Sequence, residues 1–359
     1  MVPYTTTKSA PARKPGRTAA FDCLRATACL CIILMHTAYS TELMYGAQMM
    51  IFSRALVCQT AVDLQYWAVP CFIMVTGALL LRPEKEIGYR KLFSQYIARV
   101  VKAIAAFGVL FAVLEAIFNP AMRTWSVFLG GVAEVFTGNT WSHMWYLYCL
   151  LGLYLLLPAY KKVAELSGER DIRYLLAVYA VFESLLPLLG IWNIPCGFYI
   201  HVSTIYPFWL FLGYYIFNWG GKTPRAVYGA MALGATAALG VLSCVRLRWN
   251  VAALDTFFSY SSPLVIVQAA GVAGWFFRCG QEGFAGVKKV LANIDRHSFG
   301  IYLIHMAYVR LIYKYLHYDP FRLGLAGIPG ILLLVLGAFA LAYVTDVLMK
   351  KLPFFKTFL

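Results

Sequence analysis

The chain is short of charge, and shortest of acidic charge. Of 359 residues only 13% are charged, and Asp and Glu number 16 against 31 Lys and Arg. In a soluble domain about a quarter of the residues are charged, so that class is excluded. There is no CxxC pair, no metal-ligand spacing and no Gly-rich phosphate loop, so neither a bound metal nor a bound cofactor is expected. The nine Cys stand apart, at 23, 29, 31, 58, 71, 149, 196, 244 and 279. They read as small apolar helix residues, with a bridge among Cys58, Cys196 and Cys244 as the alternative. No inverted repeat of the transporter kind is visible. The first apolar stretch lacks a small-x-small cleavage site and carries Arg25 in its interior, so it reads as a true span and not as a signal peptide.

What is present is apolar bulk: 61% hydrophobic residues and a mean hydropathy of +0.68. That composition predicts an all-α, polytopic integral membrane protein. Ten spans are expected, at about 20–40, 62–81, 100–118, 143–160, 174–190, 203–218, 226–244, 257–277, 297–316 and 328–349. With the N-terminus inside, 23 of the 31 Lys and Arg fall on cytoplasmic segments and seven on outer ones, with Arg25 the remaining one. This is the positive-inside pattern and places both termini in the cytoplasm. It also explains the net charge of +15 as topology, so no nucleic-acid partner is expected. Residues 1–18 read as a disordered, basic cytoplasmic segment, 19–352 as one membrane domain and 353–359 as a short cytoplasmic tail.

Within the first span, FDCLRATACLCIILMHTAYS, stand Arg25 and His36, both costly in hydrocarbon. Eleven residues amount to about three turns plus 20°, so both leave the same helix face, about 16 Å apart along the axis. A neutral His is the usual base for a hydroxyl proton. A hydrogen-bonded packing role is the alternative for His36, and an ion pair with Asp22, three residues earlier, is the alternative for Arg25.

Later segments form a series with this one. The second span reads WAVPCFIMVTGALLLR, with a kink expected at Pro70; the fourth begins HMWYLYCLLGLYLLLP; the sixth holds YPFWLFLGYY; the ninth reads SFGIYLIH. In this order they resemble the membrane acyltransferase-3 family over about residues 20–345. The chain departs from the family pattern at Thr76, commonly Ser, and at Ala78, commonly Tyr. The resemblance implies transfer of an acyl group, most often acetyl, from cytoplasmic acyl-CoA to a hydroxyl of an extracytoplasmic glycan, peptidoglycan or lipid-linked acceptor. It places the protein in a bacterial-type plasma membrane, serving the cell envelope. His36 is then the base, and Arg25 holds a phosphate or the pantetheine arm of the donor.

Further candidates surround this pair. Asp22, Thr76, His143, Trp145, Glu115 and His305 are candidates for contact with substrate. For His143 and Trp145 an interfacial belt competes, for His305 a packing role, and for Glu115 and Glu183 a structural pair with an Arg such as Arg310. Arg82, Arg90, Lys91 and Arg99, with Lys102, suit the donor phosphates but equally the positive-inside rule. A proton-coupled small-molecule transporter is the rival reading, since intramembrane Arg, His and Glu suit one. A non-enzymatic binding or sensor domain is the third. A homo-oligomer is compatible with the sequence.

Overall fold

The computed structural model describes residues 19–46, 50–119, 124–194, 204–279 and 286–359. Among these it contains helices and turns and no strand. The α-helices in chain order are α1 (Ala19–Tyr45), α2 (Phe52–Asp63), α3 (Ala68–Leu80), α4 (Tyr89–Lys91), α5 (Ala98–Phe118), α6 (Trp125–Thr137), α7 (Trp145–Leu155) and α8 (Leu157–Leu166). They continue with α9 (Glu169–Tyr179), α10 (Tyr206–Trp219), α11 (Arg225–Trp249), α12 (Pro263–Arg278), α13 (Lys288–Leu316), α14 (Ile328–Met349) and α15 (Pro353–Lys356). Helices suit a bilayer, since each satisfies its own backbone groups.

Among the described residues six stretches are long and apolar enough to cross a membrane: 19–45, 52–80, 89–117, 169–192, 225–249 and 325–349. A seventh comes from 129–155 with 157–166, a pair bent by 55°. The other expected spans exist as helices that are shorter or more polar. α10 has 14 residues, α12 has 16, and α13 has 29 but carries charge along its length.

Burial ranks the spans. Of the apolar window of α1, 61% is buried, against 17% for α11, so α1 is central and α11 turns most of its surface to lipid. α1 packs against α2, α3, α12, α13 and α14. α3 and α10 approach closely, through small residues on both sides. A Cβ on Gly77 would run into the main chain of Leu210, and one on Gly213 into that of Met74. Small residues let backbones meet where lipid supplies no hydrophobic drive.

The kink expected at Pro70 is present as a break. The span 52–80 opens into a turn at Leu64–Trp67, immediately before α3. Proline lacks an amide hydrogen, and its ring clashes with the carbonyl four residues back, at Tyr66. A π-helical turn, Leu92–Ile97, joins α4 to α5. The eight Cys in the described residues are free, Cys58 and Cys244 among them; Cys196 and residues 1–18 lie outside those residues.

Candidate active site

Two helices build the site, α1 and α13. Their contacts climb in the same direction on both, so the helices run parallel. Arg25 meets Asp295, Cys29 Sγ reaches the Ser298 carbonyl at 3.7 Å, His36 meets His305 and Thr41 bonds Tyr313; just past the end of α13, Tyr45 donates to Asp319 at 2.9 Å.

At one end Arg25 grips Asp295 with a fork: Nε to Oδ1 at 2.6 Å and Nη2 to Oδ2 at 2.8 Å. Nη2 also reaches Asp22 Oδ1 at 3.3 Å, the local pair anticipated from the spacing. Its Nη1 has no hydrogen-bond partner among the described residues. A cavity of about 690 Å³ opens here, lined by Arg25, Asp295, Arg296, Arg99, Tyr96 and Tyr154 with apolar Val100, Leu150 and Phe299. The π-helical turn supplies Gln95 and Tyr96 to its wall. Arg99 stands over the Phe299 ring at 4.7 Å and donates to the carbonyls of Phe358, at 2.7 Å, and Leu359, at 3.0 Å.

Three helical turns further on, three histidines meet. His36 Nδ1 lies 2.8 Å from His305 Nε2, with the rings 10° from parallel. His305 is wholly buried, and its Nδ1 lies 2.7 Å from the Tyr302 carbonyl and 3.2 Å from that of Ile301. His143 sits 6.2 Å from His36 and 5.6 Å from His305 between ring centres. It is 2% exposed, so it is inside the bundle. A single 3-10 turn, Ser142–Met144, carries it inward ahead of α7. Its Nε2 donates to the Leu303 carbonyl at 3.2 Å, while the Tyr302 hydroxyl donates to the His143 carbonyl. His143 Nδ1 is buried without a hydrogen-bond partner among the described residues. The three imidazoles are not arranged to hold a metal, and no group of three His, Cys, Asp or Glu among the described residues is.

Trp145 follows on α7 and heads a row of packed aromatic rings. Its ring lies 5.4 Å from Tyr260 and 5.7 Å from Tyr206, and Tyr146 continues the row to Tyr302 at 5.8 Å. Tyr302 in turn packs against His143 at 5.8 Å, so the row ends at the histidines.

The remaining candidates fall elsewhere. Thr76 returns its hydroxyl to the Phe72 carbonyl of its own helix at 2.9 Å. Glu115 pairs with Arg310 at 2.5 Å, the partner anticipated for it, and Arg310 covers the Trp141 ring at 4.0 Å. Arg82 is buried over the Phe217 ring, 5.2 Å away, outside the cavity wall. Arg90 and Lys91 are exposed on α4; Lys102, on α5, is also exposed and reaches Thr357 at 3.5 Å. Of the basic cluster, Arg99 alone lines the cavity.

Asp295, Tyr302 and Arg296 were not among the sequence candidates. One signal pointed to Asp295: it precedes His305 by ten residues, as Arg25 precedes His36 by eleven. A family model described as an acyltransferase domain matches residues 18–347. No curated protein and no solved structure matches the chain.

Proposed function

The chain belongs to the acyltransferase-3 family and is an integral membrane acyltransferase, and we propose that it carries an acyl group, acetyl in the first instance, from cytoplasmic acyl-CoA to a hydroxyl of an extracytoplasmic glycan, peptidoglycan or lipid-linked acceptor in a bacterial-type plasma membrane. With it goes the finer topology: ten spans, both termini cytoplasmic, and the Arg25 end of α1 facing inward.

The observation that carries this reading is the placement of a cation-lined cavity and a half-buried imidazole on one face of one helix. The cavity holds Arg25, Arg99 and Arg296, which suit the phosphates of a CoA nucleotide, beside tyrosines and Phe299, which suit its base and pantetheine arm. His36 lies about 16 Å further along α1, the reach of such an arm. The Trp145, Tyr206 and Tyr260 rings beyond it are aromatic faces of the kind that suit a sugar acceptor.

The chemistry then runs as follows. The acceptor hydroxyl oxygen attacks the thioester carbonyl carbon while His36 takes the hydroxyl proton. The tetrahedral intermediate collapses by breaking the carbon–sulfur bond. The proton passes from His36 to the leaving sulfur, giving free CoA and the ester, and the imidazole is neutral again. Arg25 stays protonated throughout and acts only by binding.

Purified protein incubated with acetyl-CoA should release CoA slowly with water as acceptor, and cell-envelope glycans or lipids should lose an acetyl mass increment when the protein is absent. An envelope unchanged by mass spectrometry, together with acetyl-CoA left intact, would overturn the reading.

A further inference from the structure

Resting on that reading of His36 as the base, we propose that His305 is a positioning residue that fixes the tautomer of His36, so that its proton-accepting nitrogen is Nε2. The argument is one of donors and acceptors. His305 Nδ1 lies against two carbonyl oxygens, at 2.7 and 3.2 Å, and a carbonyl only accepts. Nδ1 therefore carries a hydrogen. A neutral imidazole has one N–H, so His305 Nε2 presents a lone pair. That lone pair faces His36 Nδ1 at 2.8 Å, so His36 Nδ1 must be the donor. One hydrogen is then spent on the Nδ1 side, and His36 Nε2 holds the lone pair that the reaction requires.

The opposite arrangement has no support in the surroundings. It needs a hydrogen on both nitrogens of His305, an imidazolium in a wholly buried position. No carboxylate lies in hydrogen-bond reach of that ring. An isolated buried charge of that kind is strongly disfavoured. The same geometry serves the second half of the step. Once His36 has taken the proton on Nε2, its Nδ1–H still donates to His305, which steadies the imidazolium without itself changing protonation. The role is that of the orienting group in a base–orienter pair, filled here by a neutral imidazole whose own orientation is set by the Tyr302 carbonyl.

The helix makes this possible. Tyr302 and His305 are three residues apart on α13, so the carbonyl and the ring share a face, and α13 runs parallel to α1 with Asp295 and His305 in register with Arg25 and His36. His305 reaches no solvent, so it acts through His36 and not on the substrate.

Four measurements test this. His305→Phe should lower kcat roughly 10–10³-fold, less than loss of a charged orienting carboxylate, with the donor KM within about threefold of wild type. His305→Gln keeps an acceptor near the Nε2 position and a donor for the carbonyl, and should recover most of that loss. Adding His305→Phe to His36→Ala should cost nothing more, because the orienter has nothing left to orient. Full turnover in His305→Phe with turnover abolished in His36→Ala would overturn the proposal and leave the base assignment standing; full turnover in His36→Ala would sink both. A further loss in the double variant would also overturn it. Should His305→Phe not fold, nitrogen-15 spectra of the histidine-labelled wild type decide. His36 Nε2 must give an unprotonated, pyridine-type signal, and a protonated Nε2 overturns the proposal.

Discussion

Arg25 and Asp295, 270 residues apart in the chain, form a forked ion pair that pins α13 alongside α1 at the cavity. Asp295 and Asp22 are both buried while Arg25 keeps a fifth of its side-chain surface, so the guanidinium faces the cavity with two carboxylates behind it. A buried carboxylate without its cation is costly, so the pair is bound to matter for folding whatever else Arg25 does.

A charge exchange separates the two roles of Arg25. Arg25→Asp and Asp295→Arg, each alone, should lower Tm by several degrees, because each leaves like charges facing one another. The two together restore the pairing and should recover much of that Tm. Donor affinity, measured by calorimetry with a non-hydrolysable acetyl-CoA analogue, should stay at least about tenfold weaker in the exchanged protein, since the cation has moved across the cavity. Recovery of both properties would make Arg25 structural only.

His36→Ala should reduce turnover by roughly 10²–10⁴-fold, the usual contribution of a positioned base. Binding of the donor analogue should persist, because the imidazole lies three turns from the cations. The check is a steady-state assay of CoA release beside a binding isotherm on the same preparation.

Glu115, a candidate for contact with substrate, is half of a partly exposed pair with Arg310. With exposures of 33% and 43% it is screened, and its contribution to stability is at most about 1 kcal/mol. Glu115→Gln should therefore leave turnover within about threefold of wild type. Arg310→Ala should lower Tm further than Glu115→Gln does, because it also uncovers the Trp141 face. A hundredfold loss of activity in Glu115→Gln would return it to the catalytic machinery.

Gly77→Ala and Gly213→Ala test the α3–α10 seam. Either methyl meets main chain, which has no rotamer to shift, so each should cost about 1–3 kcal/mol and the helices must part. Thermal unfolding in detergent should show the drop. Gly234→Ala on lipid-facing α11, where nothing lies within 4 Å of the new carbon, serves as the control and should not lower Tm.

The topology can be read with thiol reagents in a background lacking the exposed Cys244. Lys222, 85% exposed, is the right cytoplasmic reporter, and Trp249, 67% exposed, the outer one; Lys161, at 11%, is too shielded to label. Lys222→Cys should react only with a permeant reagent and Trp249→Cys with an impermeant one. The reverse pattern would invert the protein.

The sequence by itself determined the class, since apolar bulk and scarce charge leave no alternative to a helical membrane protein, and it determined the acyltransferase family through the order of its motifs. It also put Arg25 and His36 on one face, because helical periodicity is a local property of eleven residues. The break before Pro70 was legible for the same reason. Partners across the bundle were not. That Asp295 answers Arg25, that His305 answers His36, and that His143 turns inward depend on α13 lying parallel to α1, a pairing about 270 residues apart that no local pattern encodes. The similar spacing of 25 to 36, eleven residues, and 295 to 305, ten, hinted at it, yet many spacings coincide by chance. Packing of small residues and satisfaction of buried polar groups selected this one, and those forces exist only once the helices have met.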